Sequence, residues 1–322
     1  MSLRTETHAL DALAVVLQRP EQLQLQRLVL EPPGDADVVV DVQWSGISTG
    51  TEKLLWSGRM PQFPGMGYPL VPGYESVGRL SAAGASSGRQ VGDQVFVPGA
   101  RCFGDVRGLF GGAAARVVVP GSRVIPIDAA LGERGVLLAL AATAYHAAAA
   151  PGSAQPDLIV GHGVLGRLLA RLALVAGAAP PVVWDTNPDR MAGAQGYSVL
   201  HPDEDPRKDY RSIYDVSGDA SILDSLLPRL ARGGEIVLAG FYSERPSFAF
   251  PAAFMREMRL RVAAEWSVPD LLAVRDLAAS GALSLDGLIT HRSGALEAET
   301  AYRTAFSDAA CLKMILDWRA CA

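Results

Sequence analysis

A glycine-rich turn set between an apolar strand and an apolar helix constrains this chain more than any other feature. Asp157-Leu158-Ile159-Val160 reads as a short buried strand and Leu165 to Ala176 as a helix, and the link between them is Gly161-His162-Gly163-Val164-Leu165-Gly166. In a G-x-G-x-x-G turn the first glycine permits the tight strand-to-helix reversal. The second lets the backbone approach a pyrophosphate, and the third allows the helix to pack closely on the strand. The helix N-terminus adds unpaired N–H groups and the positive end of its dipole. Glycine is common here, 33 of 322 residues, so the motif alone is weak and its context decides. The next strand, Val182-Val183-Trp184, ends on Asp185, at the spacing where a carboxylate takes the ribose hydroxyls of a dinucleotide. A carboxylate at that point repels a 2′-phosphate, which favours NAD over NADP; Arg190 is the nearest cation. A place in a helix N-cap region is the structural alternative for Asp185.

The same alternation continues on both sides. Leu137 to Ala150 is an Ala-rich helical run, and Ser212 to Val216, Glu235 to Ala239 and Arg259 to Ala263 are further short apolar strands. Strands separated by helical stretches predict a doubly wound parallel sheet with right-handed crossovers, an α/β domain of the Rossmann kind over residues 129–267. Before it, from Ala12 to about Asp128, the rhythm is short strands with Gly/Pro punctuation. Val38 to Trp44, Ser76 to Leu80, Asp93 to Val97 and Arg116 to Val119 are examples. That pattern predicts a β-rich domain, barrel or sandwich, over 1–128. The tail 268–322 reads as mostly helical with a short strand near Leu288-Ile289-Thr290, and is expected to return to the first domain.

Several classes of function are disfavoured. The formal net charge is −5 with no clustered basic run, so nucleic acid is not an expected partner. No stretch of about 20 apolar residues is free of charges and breakers, so no membrane span is expected. Met1 to Asp11 lacks the apolar core of a secretory signal. Cys102, Cys311 and Cys321 are odd in number and far apart, which fits a reducing, cytoplasmic location and no disulfide framework.

Motifs along the whole chain resemble those of the medium-chain dehydrogenase/reductase superfamily. Ser45-Gly46-Ile47-Ser48 with Gly50-Thr51-Glu52 is similar to its G-[IV]-C and G-T-D segment, and Pro72-Gly73-Tyr74-Glu75 to its P-G-H-E segment. Gly92-Asp93-Gln94-Val95, Thr143-Ala144-Tyr145-His146-Ala147 and Gly233-Gly234 with Gly240 match later segments. The resemblance implies a GroES-like β-rich catalytic domain joined to the Rossmann domain. It also exposes departures. Where zinc-dependent members carry their catalytic ligands, this chain has Ser48, Tyr74 and Ala139, and the region of the structural-zinc lobe has only Cys102. No metal is therefore expected. Ser45 to Gly58, running on through Arg59 to Glu75, and Cys311 to Trp318 resemble more narrowly the bacteriochlorophyllide a dehydrogenase family of bacteriochlorophyll biosynthesis.

The narrower resemblance implies NAD-dependent oxidation of a 1-hydroxyethyl side chain on a bacteriochlorophyllide to an acetyl group. Candidate catalytic groups are Ser48, Thr51, Tyr74 and Glu75, arranged as a relay that takes the alcohol proton to Glu75 and water. Filling of a vacated zinc pocket is the alternative role for Ser48 and Tyr74, and a structural hydrogen bond the alternative for Glu75. The cofactor set is Thr143, Gly161, His162, Gly163, Val164, Leu165, Gly166, Asp185, Thr186 and Gly240, with the backbone of His162 expected to matter more than its ring. Trp56, Phe63, Tyr68 and Phe110 are candidate walls for a flat tetrapyrrole, or else loop anchors. Arg59, Arg101 and Arg107 are candidates for a propionate, or else solvated surface. Two rival functions share the superfamily: a zinc-free NADPH-dependent quinone or enone reductase, and a dinucleotide-binding sensor. A homodimer through edge strands of the Rossmann sheet is implied by the same resemblance.

Overall fold

The computed structural model describes residues 9–321. The first eight residues, part of the stretch read as lacking a secretory signal, lie outside the described residues. The chain divides into two compact units. The first takes the chain up to Val136 together with Arg292–Phe306 and the segment from Met314 onward; the second takes Leu137–His291 and Ser307–Lys313.

The first unit opens with a hairpin of β1 (Asp11–Arg19) and β2 (Gln22–Val29), followed by β3 (Asp37–Ile47) and a short helix α1 (Thr51–Ser57). Then come β4 (Leu70–Val71), β5 (Ser76–Ala83), β6 (Gln94–Val97), β7 (Arg107–Gly108), β8 (Arg116–Pro120) and β9 (Ile125–Pro126). Strand β3 is central. Val38, Val39, Val40 and Val42 on it are all buried, and it pairs antiparallel with both β5 and β8. β-branched residues buried on both faces suit an interior strand.

The second unit holds α2 (Leu138–Ala149), β10 (Leu158–Val160), α3 (Val164–Val175), β11 (Val182–Trp184), β12 (Ser198–Leu200), β13 (Tyr210–Asp215), α4 (Leu223–Leu226), β14 (Leu230–Leu238), α5 (Phe250–Arg256), β15 (Arg259–Val262) and α6 (Val268–Ala279). Its strands form a parallel sheet in the order β12-β11-β10-β13-β14-β15. The chain runs outward from β10 to β12, then returns to β13 on the other side. The strand order therefore reverses between β10 and β13, and the crevice at their carboxyl ends is where such sheets take ligands.

The chain then adds β16 (His291–Gly294), α7 (Ala298–Ser307) and β17 (Met314–Asp317). Strand β17 pairs antiparallel with β3, Met314 opposite Ile47, and completes the large sheet of the first unit.

Three details differ from the expectations above. The first unit runs eight residues further than Asp128, to Val136. The stretch 268–291 stays with the second unit, because α6 buries Leu271, Val274 and Ala278, packs on α2, and accepts a hydrogen bond from His146 Nδ1 on Asp270 at 2.8 Å. The tail is less helical than its composition suggests: Met314–Asp317 is a strand, and the short strand expected near 288–290 falls at 291–294. A four-residue apolar run has no period by which strand and helix can be told apart, and pairing with β3 decides it.

Candidate active site

In the first unit, β3 ends in the segment that leads into α1, and the loop before β5 brings Tyr74 and Glu75 beside it. The Tyr74 phenol donates to Ser48 Oγ at 2.9 Å and also hydrogen-bonds the Thr51 side chain. Ser48 is buried and Tyr74 half-buried. Glu75 is fully buried, and its carboxylate lies where a Cβ on Gly46 would meet Oε2 at 2.1 Å. Only glycine at 46 leaves room for that acid. Ser48, Thr51 and Tyr74 are thus joined by hydrogen bonds, and the Glu75 carboxylate lies near enough to act on the phenol by its charge.

Two further members were not singled out from sequence. Glu52, fully buried one residue into α1, accepts the Ser48 backbone amide on Oε1 at 3.0 Å. Its Oε2 accepts the phenol of Tyr302, on α7, at 2.6 Å. Glu75 is therefore not the one acid of this region. Glu52 stands inside the quoted Gly50-Thr51-Glu52 motif and was visible there as a residue type, but no local signal pairs it with a tyrosine 250 residues away.

Burial, reinforced by the nearby Glu75 carboxylate, pushes the Tyr74 phenol well above its ordinary range, against the opposing hydrogen bonds to Ser48 and Thr51. Burial beside Glu52 does the same to Tyr302. Both phenols are protonated donors at neutral pH. Ser48 and Tyr74, a neutral hydroxyl and a neutral phenol already bonded to each other, do not fit a zinc ion. Among the described residues no group of three or more His, Cys, Asp or Glu is placed to hold a metal. Cys102 is buried and its sulfur accepts the Val118 amide at 3.4 Å.

The expected aromatic walls separate. Phe110 stands edge-on to Tyr74 with ring centroids 5.7 Å apart. Trp56 packs on Phe306, which in turn packs on Tyr302. Tyr68 donates its hydroxyl to the Leu55 carbonyl and so anchors its own loop to α1, while Phe63 is exposed. Of the three arginines, Arg107 reaches back to the Tyr68 carbonyl at 3.3 Å.

In the second unit, Gly161 follows β10 with φ +106°, and a Cβ on Gly166 would lie 1.8 Å from the Gly161 carbonyl oxygen. Helix α3 can start this close to the strand only with glycine at 166. Gly163 caps α3 and faces open space, with Val164 and Leu165 opening the first turn. That turn holds no acid, so its N–H groups are available to an anion. Asp185 is half-buried; it accepts the His162 amide on Oδ2 and the Asn187 amide on Oδ1, both at 2.8 Å. Thr186 beside it is exposed. Gly240 follows β14 and donates its amide to the Asp215 carbonyl at 3.1 Å. Thr143 hydrogen-bonds the Ala139 carbonyl one turn back within α2.

The His162 backbone amide meets Asp185, and its ring, expected to matter less, is hydrogen-bonded as well. Burial lowers its pKa to about 4, so the ring is neutral. Nδ1 then donates to the Arg190 carbonyl at 2.6 Å and Nε2 accepts the Tyr197 hydroxyl at 2.9 Å. Another unforeseen pair is Asp215, fully buried at the end of β13, and Tyr242, whose hydroxyl donates to Asp215 Oδ2 at 2.5 Å. Burial raises the Asp215 carboxyl.

Residues 34–129 match the family model of the alcohol dehydrogenase GroES-like domain. The chain is 60% identical over 311 residues to the 2-desacetyl-2-hydroxyethyl bacteriochlorophyllide A dehydrogenase of Rhodobacter capsulatus, covering 96% of this chain and 99% of that protein. It belongs to the bacteriochlorophyllide a dehydrogenase family. Among solved structures, the NADH complex of an alcohol dehydrogenase from Escherichia coli CFT073 superposes with a TM-score of 0.80 at 21% identity, over 95% of this chain and 99% of the other. L-idonate 5-dehydrogenase from Escherichia coli K-12 gives 0.83 at 19% identity, over 96% and 99%. With the family model, these two likenesses establish the fold, a GroES-like domain and a doubly wound parallel sheet.

Proposed function

We infer that this bacteriochlorophyllide a dehydrogenase relative oxidises the 1-hydroxyethyl side chain of a bacteriochlorophyllide to an acetyl group, a step of bacteriochlorophyll biosynthesis. Family membership over nearly the full length is the observation that carries the substrate. A nicotinamide dinucleotide accepts the hydride. Gly161–Gly166 would cradle its pyrophosphate, and Asp185 its adenosine ribose. We propose NAD rather than NADP, because the Asp185 carboxylate repels a 2′-phosphate and the neighbouring Arg190 donates its Nε to the Ala309 carbonyl. Thr143 and Gly240 complete the proposed cofactor set.

The alcohol must lose a proton as its carbon loses hydride, and we propose that hydroxyls do this without a metal. The proton enters at Tyr74 Oη as the phenol's own proton moves to Ser48 Oγ along their hydrogen bond, and the Ser48 hydroxyl proton leaves through water toward Glu75. The elevated pKa of the phenol bars it from storing negative charge, so Tyr74 conducts rather than accepts. Glu75 is the proposed terminal acceptor, with Thr51 as a second partner of the phenol. Conjugation of the carbinol carbon with the macrocycle spreads the positive charge that develops as hydride leaves, which lessens the need for a Lewis acid. Phe110, edge-on to Tyr74, is the best placed of the aromatic candidates to border the pigment.

The test is purified, metal-analysed enzyme with NAD and a 1-hydroxyethyl bacteriochlorophyllide, followed by the long-wavelength pigment band. Conversion without stoichiometric zinc, slow with NADP, is expected. Tyr74→Phe and Ser48→Ala should each lower kcat by about 10²- to 10⁴-fold, the usual worth of positioned proton transfer. Turnover that requires added zinc refutes the relay, and reduction of a quinone or enone with NADPH in its place refutes the assignment.

We also propose a homodimer. Strand β15 has one unpaired edge, and Phe250, Phe254, Met255 and Val262 on and beside it are more than 60% exposed. Two copies can pair these edges antiparallel about a twofold axis. A monomeric mass by light scattering at micromolar concentration would overturn this.

A further inference from the structure

The crossover from β11 to β12 lacks the α-helix that normally makes such a connection. Between Asp185 and Ser198 there is one 3-10 turn, Pro188–Arg190, and otherwise irregular chain. Without a helical ladder, the backbone groups of this segment need partners from elsewhere. The carbonyls of Arg190 and Ala192 find them on side chains from the phosphate loop and helix α3.

The Arg190 carbonyl accepts from His162 Nδ1 at 2.6 Å and from Arg167 Nη2 at 3.1 Å. Arg167 Nη2 also reaches the Ala192 carbonyl at 2.7 Å, and its Nε returns to the His162 carbonyl at 3.0 Å. Tyr197, near the end of the segment, donates to His162 Nε2 and stands edge-on to the ring, with centroids 5.6 Å apart. Both His162 and Arg167 are buried. The residue whose ring clamps the far part of the segment is the one whose main-chain amide fixes Asp185 Oδ2 at its near end. One imidazole thus ties the phosphate turn, the ribose-directed carboxylate and the irregular crossover together.

We propose that the His162 imidazole, with Tyr197 and Arg167, is a positioning device for the adenosine half of the dinucleotide, and that it determines how strictly a 2′-phosphate is refused. The proposal rests on the dinucleotide reading of the fingerprint. The mechanism is geometric. With Oδ2 and Oδ1 of Asp185 each committed to one amide, the carboxylate keeps a fixed plane and presents its remaining lone pairs in one direction, which suits two vicinal hydroxyls. When the clamp is lost, the crossover relaxes, the carboxylate turns, and a larger charged substituent meets less resistance.

The assay is equilibrium binding, by fluorescence titration, of NADH, NADPH and ADP-ribose to the full-length wild-type protein and to His162→Ala, His162→Asn and Tyr197→Phe. ADP-ribose carries the adenosine half without the nicotinamide. His162→Ala should weaken NADH and ADP-ribose by the same factor, about tenfold for the two ring hydrogen bonds, while NADPH weakens less, so that the NADH-over-NADPH preference shrinks. His162→Asn, which retains a donor near the Nδ1 position, should recover part of the loss. Tyr197→Phe should cost about threefold, with the same narrowing of preference. Equal weakening of NADH and NADPH in the variants, or wild-type affinity and preference in all of them, overturns the proposal while leaving the dinucleotide reading intact. A wild-type protein that binds none of the three ligands overturns both.

Discussion

Replacing Tyr302 by phenylalanine isolates one buried hydrogen bond. The ring survives, and with it the edge-on contact to Phe306 at 5.7 Å. What is lost is the hydroxyl that donates to Glu52 Oε2 at 2.6 Å. Both residues are buried, so no bulk water replaces the donor. A hydrogen bond to a charged group contributes about 1.5–3 kcal/mol, and the desolvated oxygen left behind raises the cost toward the upper end. For a folding unit of this size about 1 kcal/mol moves Tm by roughly 2–4 °C, so Tyr302→Phe should lower Tm by about 4–10 °C. The assay is thermal unfolding followed by far-UV circular dichroism, together with a double-mutant cycle. Glu52→Gln carries no charge, so the Tyr302→Phe step should cost less in that background, with a coupling of about 1–2 kcal/mol. A Tm change below about 1 °C, or additive effects of the two substitutions, would refute the claim that this phenol secures the carboxylate under Ser48.

Other outcomes follow from the same geometry. Gly166→Ala places a methyl 1.8 Å from a backbone oxygen that cannot swing away; it should destabilise the second unit by about 3 kcal/mol or more and abolish NADH binding, read by fluorescence and calorimetry. Seven of the eight tyrosines, Tyr68, Tyr74, Tyr197, Tyr210, Tyr214, Tyr242 and Tyr302, are held above their ordinary range, each chiefly by burial. Because their protons are held more tightly in the folded state, their contribution to stability is full below pH about 10 and is lost as pH rises through the folded values. Ultraviolet titration should therefore show little tyrosinate near pH 10, then a cooperative release on alkaline unfolding; a smooth titration of all eight near 10 would contradict the burial. Asp270→Ala removes the carboxylate that accepts from Ser267 N, Ser267 Oγ and His146 Nδ1 at the start of α6. It should cost about 1–2 kcal/mol in denaturant unfolding, and an unchanged midpoint would refute the cap.

Legibility in the sequence tracked how local each feature is. The glycine turn Gly161–Gly166 was readable because a strand, a turn and a helix are contiguous, and Gly161 and Gly166 answer constraints of that turn, a positive φ and a close approach to the Gly161 carbonyl. The parallel sheet was readable for the same reason, as apolar strands alternating with helical runs. Ser48 and Tyr74 were readable as a neutral hydroxyl and a phenol because a residue's chemical type is visible without a structure. What the chain does with those types depended on distant segments. Glu52 gains its partner from α7, and β17 becomes a strand by pairing with β3 rather than from its own composition. Stretch 268–291 joins the second unit through burial on α2 and through Asp270. The His162 ring was invisible as a clamp because its partners lie 28 and 35 residues on, at a backbone carbonyl and a tyrosine that carry no motif. Sequence alone determined which side-chain types were on offer; tertiary structure decided which groups met. The reason is physical: residue type and local period are properties of neighbours in the chain, whereas burial, hydrogen-bond partnership and shifted protonation belong to neighbours in space.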